Sequence, residues 1–355
     1  MKQPIRRVAA FACLLMIAFT GLALIETDEW WIRVLDFPRL QISMVLVLAL
    51  LVYWPLSPRG AVSTAIVGAS VISLAWQVWL IIPYTSLWQQ QMISAAGCEP
   101  PRRVRFLVAN VFQDNRQAET LLLLVKETDP DVILLTEVDK QWERDVASLK
   151  ADYPATLLEP LSNTYGIALY SKLAIKNPEV RYLVEKDIPS IRVTITLRDG
   201  VDFKMWGVHP APPRPNDDTD QRDAELMLVA KEVAATTGPA IVAGDLNDVA
   251  WSSTTKLFQK VSGLLDPRIG RGLYATFNAH WPLLKWPLDH LFASKEWTLG
   301  EFRRLSDIGS DHYPILVELC HHPVASAVQK GAAPQPGDAQ KAEEHIEEGR
   351  KAVGE

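Results

Sequence analysis

The chain has 355 residues, 48% of them apolar, and a formal net charge of −6 at pH 7, enough for one large domain plus an attachment. The stretch 99–322 holds 26 Lys and Arg against 32 Asp and Glu, which is not the basic footprint of a tight nucleic-acid binder unless a metal supplies the positive charge locally. Three cysteines, Cys13, Cys98 and Cys320, form no paired-thiol zinc pattern.

Three apolar runs come first, at 8–25, 40–56 and 61–84. A membrane-crossing helix needs about 20 apolar residues; the third run meets this and the first two are short but admissible. The alternative, a signal peptide followed by two core helices, suits the sequence less well. Glu26-Thr27-Asp28-Glu29 is no small-residue cleavage site, and two more apolar runs follow at once. Lys2, Arg6 and Arg7 precede the first run, and Arg59 lies between the second and third. The loop 26–39 is net acidic. Basic residues stay in the cytoplasm, so the expected arrangement is a multi-pass inner-membrane anchor over 1–90. Its N-terminus is cytoplasmic, and everything after Tyr84 lies outside. Trp30, Trp31, Tyr53, Trp54, Tyr84 and Trp88 fall near the span ends, where an interfacial aromatic belt belongs.

A polar linker, 91–102, ends in Pro100-Pro101. The alternation Val104, Phe106, Val108 then predicts a strand that ends near Asn110. Leu121, Leu124 and Val125 predict a helix over 116–128, stopped by Asp129-Pro130. An apolar strand follows and runs to Glu137. Strands are expected at 166–172, 190–200 and 202–210, the last two joined at Asp199-Gly200 and ending in His209. An acidic, Pro-rich loop at 210–220 leads to a helix at 221–236. The strand 239–243 delivers Gly244-Asp245-Leu246-Asn247-Asp248. Asp245 and Asn247 would share a face if the backbone stayed extended. A helix at 253–262, a loop at 273–287, a short strand from Asp289 and a last strand at 314–319 complete a domain over 103–322. The remainder, 323–355, has almost no large apolar residues and reads as disordered, with at most a frayed helix at 340–350.

Asn110, Glu137, His209, Asp245 with Asn247, Asp289, and Asp311 with His312 each stand at a strand end or in a loop. Singly, each has an ordinary explanation as a cap, a turn or a surface charge. Together they supply what phosphoester hydrolysis needs: oxygen ligands for a hard cation, a carboxylate to position water, and imidazoles to face phosphate.

Their order, with the motifs GDLND and SDHYP, resembles the endonuclease/exonuclease/phosphatase superfamily, which includes DNase I-like nucleases, sphingomyelinases and inositol phosphatases. The preceding spans are similar to those of a membrane-anchored bacterial branch. The resemblance implies a four-layer α/β sandwich, two packed β-sheets flanked by helices, behind three transmembrane helices. It implies Mg²⁺, with Mn²⁺ as a substitute, on Glu137 supported by Asn110 and Asp311. It gives Asp245 the attacking water, Asn247 the phosphate or the water, and His312 the scissile phosphate. Asp289 would orient that histidine, and His209 would donate to phosphate. Tyr165 and Arg192 are further candidates for substrate contact, with packing or a surface charge pair as the alternative for each. Where many nucleases of this type carry a second acidic or amide residue, this chain has Phe112, with Asp114 and Asn115 following; a second metal position is therefore open. The expected function is that of a membrane-anchored, Mg²⁺-dependent phosphodiesterase or phosphatase of nuclease-like type, with a sphingomyelinase-like lipid-headgroup phosphodiesterase as the alternative. The expected partners are the bilayer and a phosphoester substrate, nucleic acid or lipid headgroup, and no protein partner is evident. Trp251, Trp281 and Trp286 suit base stacking or a lipid interface, with core packing as the ordinary alternative. An inactive membrane scaffold is the reading from another class. In the resembling fold the first and last strands are sheet neighbours. If they are antiparallel, Cys98 and Cys320 come within bridging reach; otherwise they remain two thiols.

Overall fold

A computed structural model describes residues 2–215 and 218–354. Asn216 and Asp217, inside the expected acidic loop, lie outside that description.

Three helices, α1 (Lys2–Leu22), α3 (Arg39–Leu56) and α4 (Ala61–Ile81), are long and apolar enough to cross a membrane. A four-residue helix, α2 (Trp30–Arg33), interrupts the loop between the first two. The three spans pack through a small shared core around Cys13, Met16, Leu46 and Tyr53. Most of their remaining apolar surface faces outward.

The rest is a sandwich of two sheets. One has the order β10-β11-β1-β2-β4-β3 and the other β5-β6-β7-β8-β9. Their strands are β1 (Arg103–Asn110), β2 (Val132–Thr136), β3 (Ala155–Glu159), β4 (Ile167–Ser171), β5 (Ile175–Arg181), β6 (Ser190–Thr196), β7 (Asp202–Val208), β8 (Ala240–Asp245), β9 (Asp289–Ala293), β10 (Trp297–Arg304) and β11 (Ile315–His321). Alternate residues of each strand, such as Val104, Phe106 and Val108, turn into the space between the sheets and meet Ile191, Val193 and Met205. The opposite faces are covered by helices. α5 (Ala118–Thr128) and α6 (Lys140–Asp145) lie on the first sheet. α7 (Asp220–Ala234) and α8 (Ser253–Ser262) lie on the second. This is the expected four-layer arrangement.

Strand direction places the functional end. β1 runs parallel to β2, and β7 parallel to β8, so Asn110, Glu137, His209 and Asp245 emerge at one edge. β9 is antiparallel to β8 and β11 to β1, so residues just before or at their starts reach the same edge. Asp289 and the Asp311-His312 pair arrive there from the other direction.

The antiparallel β1–β11 pairing sets Arg103 opposite Cys320, and a Cys98–Cys320 disulfide spans a Cα–Cα distance of 5.8 Å. The tail departs from the expected disorder. Helix α9 (Asp338–Ala352) packs on α7 and buries Ala342 and Ile346 in the helix-side core of the second sheet. Two aliphatic residues one helical turn apart suffice when a complementary face already exists.

Among the described residues, the domain meets the three apolar helices at one end. Arg33 donates to Thr254 Oγ1 at 2.8 Å and lies 3.7 Å from buried Asp223. The Trp251 indole donates to the Asp36 carbonyl at 2.7 Å. Leu80 and Tyr84 pack with Val249, Trp251 and Leu288.

Candidate active site

Asn110 lies at the centre of the polar edge. Its amide nitrogen donates to Glu137 Oε1 at 2.9 Å and to Asp245 Oδ2 at 3.0 Å, bridging the two sheets. Its own carbonyl accepts from Ser310 Oγ at 2.8 Å, and that hydroxyl oxygen accepts the His312 backbone N–H at 3.0 Å. One serine thus ties the SDHYP loop to β1. Glu137 is held in the left-handed region, with φ 62°, and its Oε2 accepts the Gln113 N–H at 3.0 Å.

Gly244 permits the close approach of β8 to β7. Its φ is +145°, and a Cβ there would run into the Val208 carbonyl, next to His209. Asp245 Oδ1 accepts the Asn247 N–H at 2.9 Å, and Asn247 has φ 49°. The backbone therefore turns instead of remaining extended, and the two side chains do not share a face as expected. The Asn247 amide nitrogen is committed to the Pro210 carbonyl at 2.9 Å. This residue joins the Asp245 loop to the His209 loop.

His312 Nδ1 donates to Asp289 Oδ2 at 2.8 Å, and its Nε2 lies 3.6 Å from Asp245 Oδ2. Burial opposes the charged ring, but Asp289 and Asp245 outweigh it and raise the pKa to about 10. His209 is the counterpart. Burial drives its pKa down to about 4 despite Asp245 at 3.8 Å. One imidazole is thus held charged and the other neutral in the same cleft.

The oxygen set fits a hard cation. Glu137 and Asp311 are both raised above the usual carboxylate range, first by burial; neighbouring carboxylates add to each shift, including Glu137 acting on Asp311. Asp311 Oδ1 is buried without a hydrogen-bond partner. Crowded carboxylates with an orphaned oxygen suit a hard divalent cation. Phe112 contributes only its N–H, to Asn110 Oδ1 at 2.9 Å. Asp114 is exposed, and Asn115 is spent on the Val111 and Ile308 carbonyls.

The Tyr165 ring lies 5.6 Å from the His209 ring, at the site. Arg192 does not reach it. It lies on the helix side of β6, where it pairs with Glu179 at 2.8 Å and Glu232 at 3.5 Å. A cation near the cleft is Arg214, whose guanidinium lies 5.9 Å from the Tyr165 ring centre; nothing in the sequence pattern singles it out. Phe277, with its ring 4.9 Å from that of His312, also carries no sequence signal. Ser310 does, because it opens the SDHYP motif.

The profile of the Endonuclease/Exonuclease/phosphatase family matches residues 107–312. The chain belongs to this family of phosphoester hydrolases. No curated protein is significantly similar to it. Among solved structures, D. rerio TDP2 complexed with a single-strand DNA product aligns at 15% identity with a TM-score of 0.51, over 61% of this chain and 98% of that one. The human Nocturnin catalytic domain with bound sulfate aligns at 17% identity and TM-score 0.50, over 63% and 96%. A family protein from Bacteroides thetaiotaomicron gives 17% identity, TM-score 0.51, and the same coverage as Nocturnin. At these identities the likeness is one of fold.

Proposed function

We propose that the chain is a membrane-anchored phosphodiesterase or phosphatase that depends on Mg²⁺ or Mn²⁺, with its catalytic domain on the extracytoplasmic side. The observation that carries the activity is the Asp245–His312–Asp289 arrangement beside Glu137 and Asp311 at one edge of both sheets.

Glu137 and Asp311 are the residues that would hold the metal, which neutralises charge on the phosphoryl oxygens when bound. Asn110, expected as a further ligand, instead turns its amide nitrogen to Glu137 and Asp245 and its Oδ1 to the Phe112 N–H, and positions Glu137. Asp245, fixed by Asn110 and by its own turn, accepts a proton from the attacking water. His312, kept charged by Asp289, stabilises negative charge on the phosphoryl group as it develops. His209 in the same cleft and Arg214 near it suit hydrogen bonding and charge pairing with phosphate oxygens. Hydrolysis of bis(p-nitrophenyl) phosphate by the full-length protein, with and without Mg²⁺, tests the reading. Glu137→Gln is expected to cost roughly a hundredfold or more in kcat/KM; undiminished metal-dependent turnover would remove Glu137 from its role.

The placement rests on two supports. Lys2, Arg6, Arg7 and Arg59 lie at the ends of the spans away from the domain, consistent with the charge rule. A disulfide between Cys98 and Cys320 suits an oxidising compartment. A reporter fused to the C-terminus that works only in the cytoplasm would refute the orientation.

A further inference from the structure

The segment from Phe277 to Trp286 folds back on itself. The two residues bridge antiparallel, and Asn278 N donates to the Leu284 carbonyl at 3.1 Å. The base of this hairpin belongs to the catalytic edge. Phe277 lies against His312, and Ala279 N donates to the Asp311 carbonyl at 2.7 Å. Its tip is apolar and open: Trp281 is 60% exposed, Leu283 74% and Leu284 40%. A lone exposed leucine needs no explanation, but three large apolar residues in four do.

The tip is also tied to the head of a span. Gln41, the third residue of α3, donates to the Leu283 carbonyl at 2.8 Å. Phe37, just before α3, packs edge-on against Trp286 at 5.8 Å. Leu283 therefore lies level with the first turn of an apolar helix, whose second residue, Leu40, is exposed. Behind the tip lies a basic rim. Lys285 and Arg304 each lie 4.5 Å from the centre of the Tyr313 ring, and Tyr313 follows His312 directly.

We propose that the hairpin 277–286 dips into the bilayer interface, that the catalytic mouth opens at that surface, and that the substrate is the phosphodiester headgroup of an anionic phospholipid. This rests on the phosphoester-hydrolase reading above. Trp and Leu at such a tip are stabilised at the headgroup boundary, and Lys285 and Arg304 attract anionic lipid there. A dissolved nucleic acid would need the same aromatic free for stacking and a broadly basic approach. The domain has no such basic excess, with 26 basic against 32 acidic residues over 99–322. In the reaction one water oxygen bonds to phosphorus, one P–O ester bond breaks, and the departing alkoxide takes up the proton that the water loses.

The test uses the full-length protein in phosphatidylcholine vesicles containing phosphatidylglycerol, with Mg²⁺. Bis(p-nitrophenyl) phosphate and a single-stranded oligonucleotide serve as parallel substrates. Phosphatidylglycerol cleavage is expected, seen as loss of the intact lipid. The double variant Trp281→Ser/Leu283→Ser should lower it by about tenfold or more while turnover of the soluble diester stays the same. The unaltered protein gives a second readout that does not depend on the variant folding: dispersing the same lipid in excess detergent should lower its cleavage but not that of the soluble diester. Cleavage of the soluble diester or the oligonucleotide without the lipid overturns the inference and leaves the hydrolase reading intact. Lipid cleavage indifferent to both the variant and the detergent overturns the role of the hairpin. Hydrolysis of none of the three overturns the hydrolase reading and the inference with it.

Discussion

Two histidines of one cleft are driven in opposite directions by their neighbours. Both are buried, which disfavours the charged form. His312 has Asp289 at 2.8 Å on one nitrogen and Asp245 at 3.6 Å from the other, and these carry it to about 10. His209 has one carboxylate at 3.8 Å and falls to about 4. A base whose folded pKa is raised is protonated below that pKa and loses its proton as pH climbs through it. If the charged form of His312 is the active one, kcat/KM falls on the alkaline side. Asp289→Asn removes the closest stabiliser, so this falling limb is expected to move to lower pH, with a lower maximum. A pH–rate profile with an unmoved alkaline limb would break the assigned pairing.

Helix α7 carries a second predictable response. Glu225 is buried against the second sheet, Oε1 has no hydrogen-bond partner, and burial with nearby Glu185 raises its pKa to about 8. The native state thus holds this proton more tightly than the unfolded chain. Stability from this group is complete below the ordinary carboxyl pKa of 4.5 and declines as pH rises to about 8. Glu225→Gln should flatten that decline and stabilise the protein at pH 8 by at most a few kcal/mol; urea titrations at pH 5 and pH 8 measure it. The docking of α9 onto α7 depends on Gly349, where a Cβ would collide with Ala224 and come within 2.7 Å of the Asp220 carbonyl. Gly349→Ala is expected to lift α9 and expose 338–352 to limited proteolysis, with phosphodiesterase activity retained. A tail as resistant as in the parent would show that the contact yields. The three strands absent from the periodicity, β3, β5 and β10, are all sheet edges. β5 contains Pro178, is mostly exposed and breaks register between Lys176 and Glu179. β10 breaks register between Leu299 and Glu301. An edge strand is buried and paired less fully, so its sequence carries less of the alternation that marks a strand.

For the whole molecule, the Cys98–Cys320 bridge closes a loop across 222 positions, nearly the entire domain. In the chain-entropy account a loop of that length contributes up to about 5 kcal/mol. Reduction, or Cys320→Ser, should therefore lower the midpoint of unfolding without changing the fold. A midpoint indifferent to reductant would mean that the bond contributes nothing. Mass spectrometry after alkylation of free thiols should find Cys13 alone modified.

The sequence by itself determined the three long apolar helices, the order of strands that form the sheet interiors, and the polar residues at the ends of those strands or in the loops beside them. Each is a local property: a run of apolar residues, an alternation, or a polar residue at either end of an apolar strand or in the loop beside it. Glu137, Asp245, Asp289 and His312 were legible for that reason. Tertiary structure decided what depends on contacts between distant positions. It set Arg214 near the cleft and turned Arg192 toward Glu179 and Glu232. It committed the Asn247 amide to Pro210 and docked the tail on α7. It also separated three tryptophans that look alike in sequence. Trp251 is buried against Leu80 and Tyr84, Trp286 packs between Phe37 and Phe277, and Trp281 is exposed at the tip of the hairpin. A side chain's type fixes what it can bond, but the partner it meets is set by the folding of segments tens to hundreds of residues away, which no local pattern records.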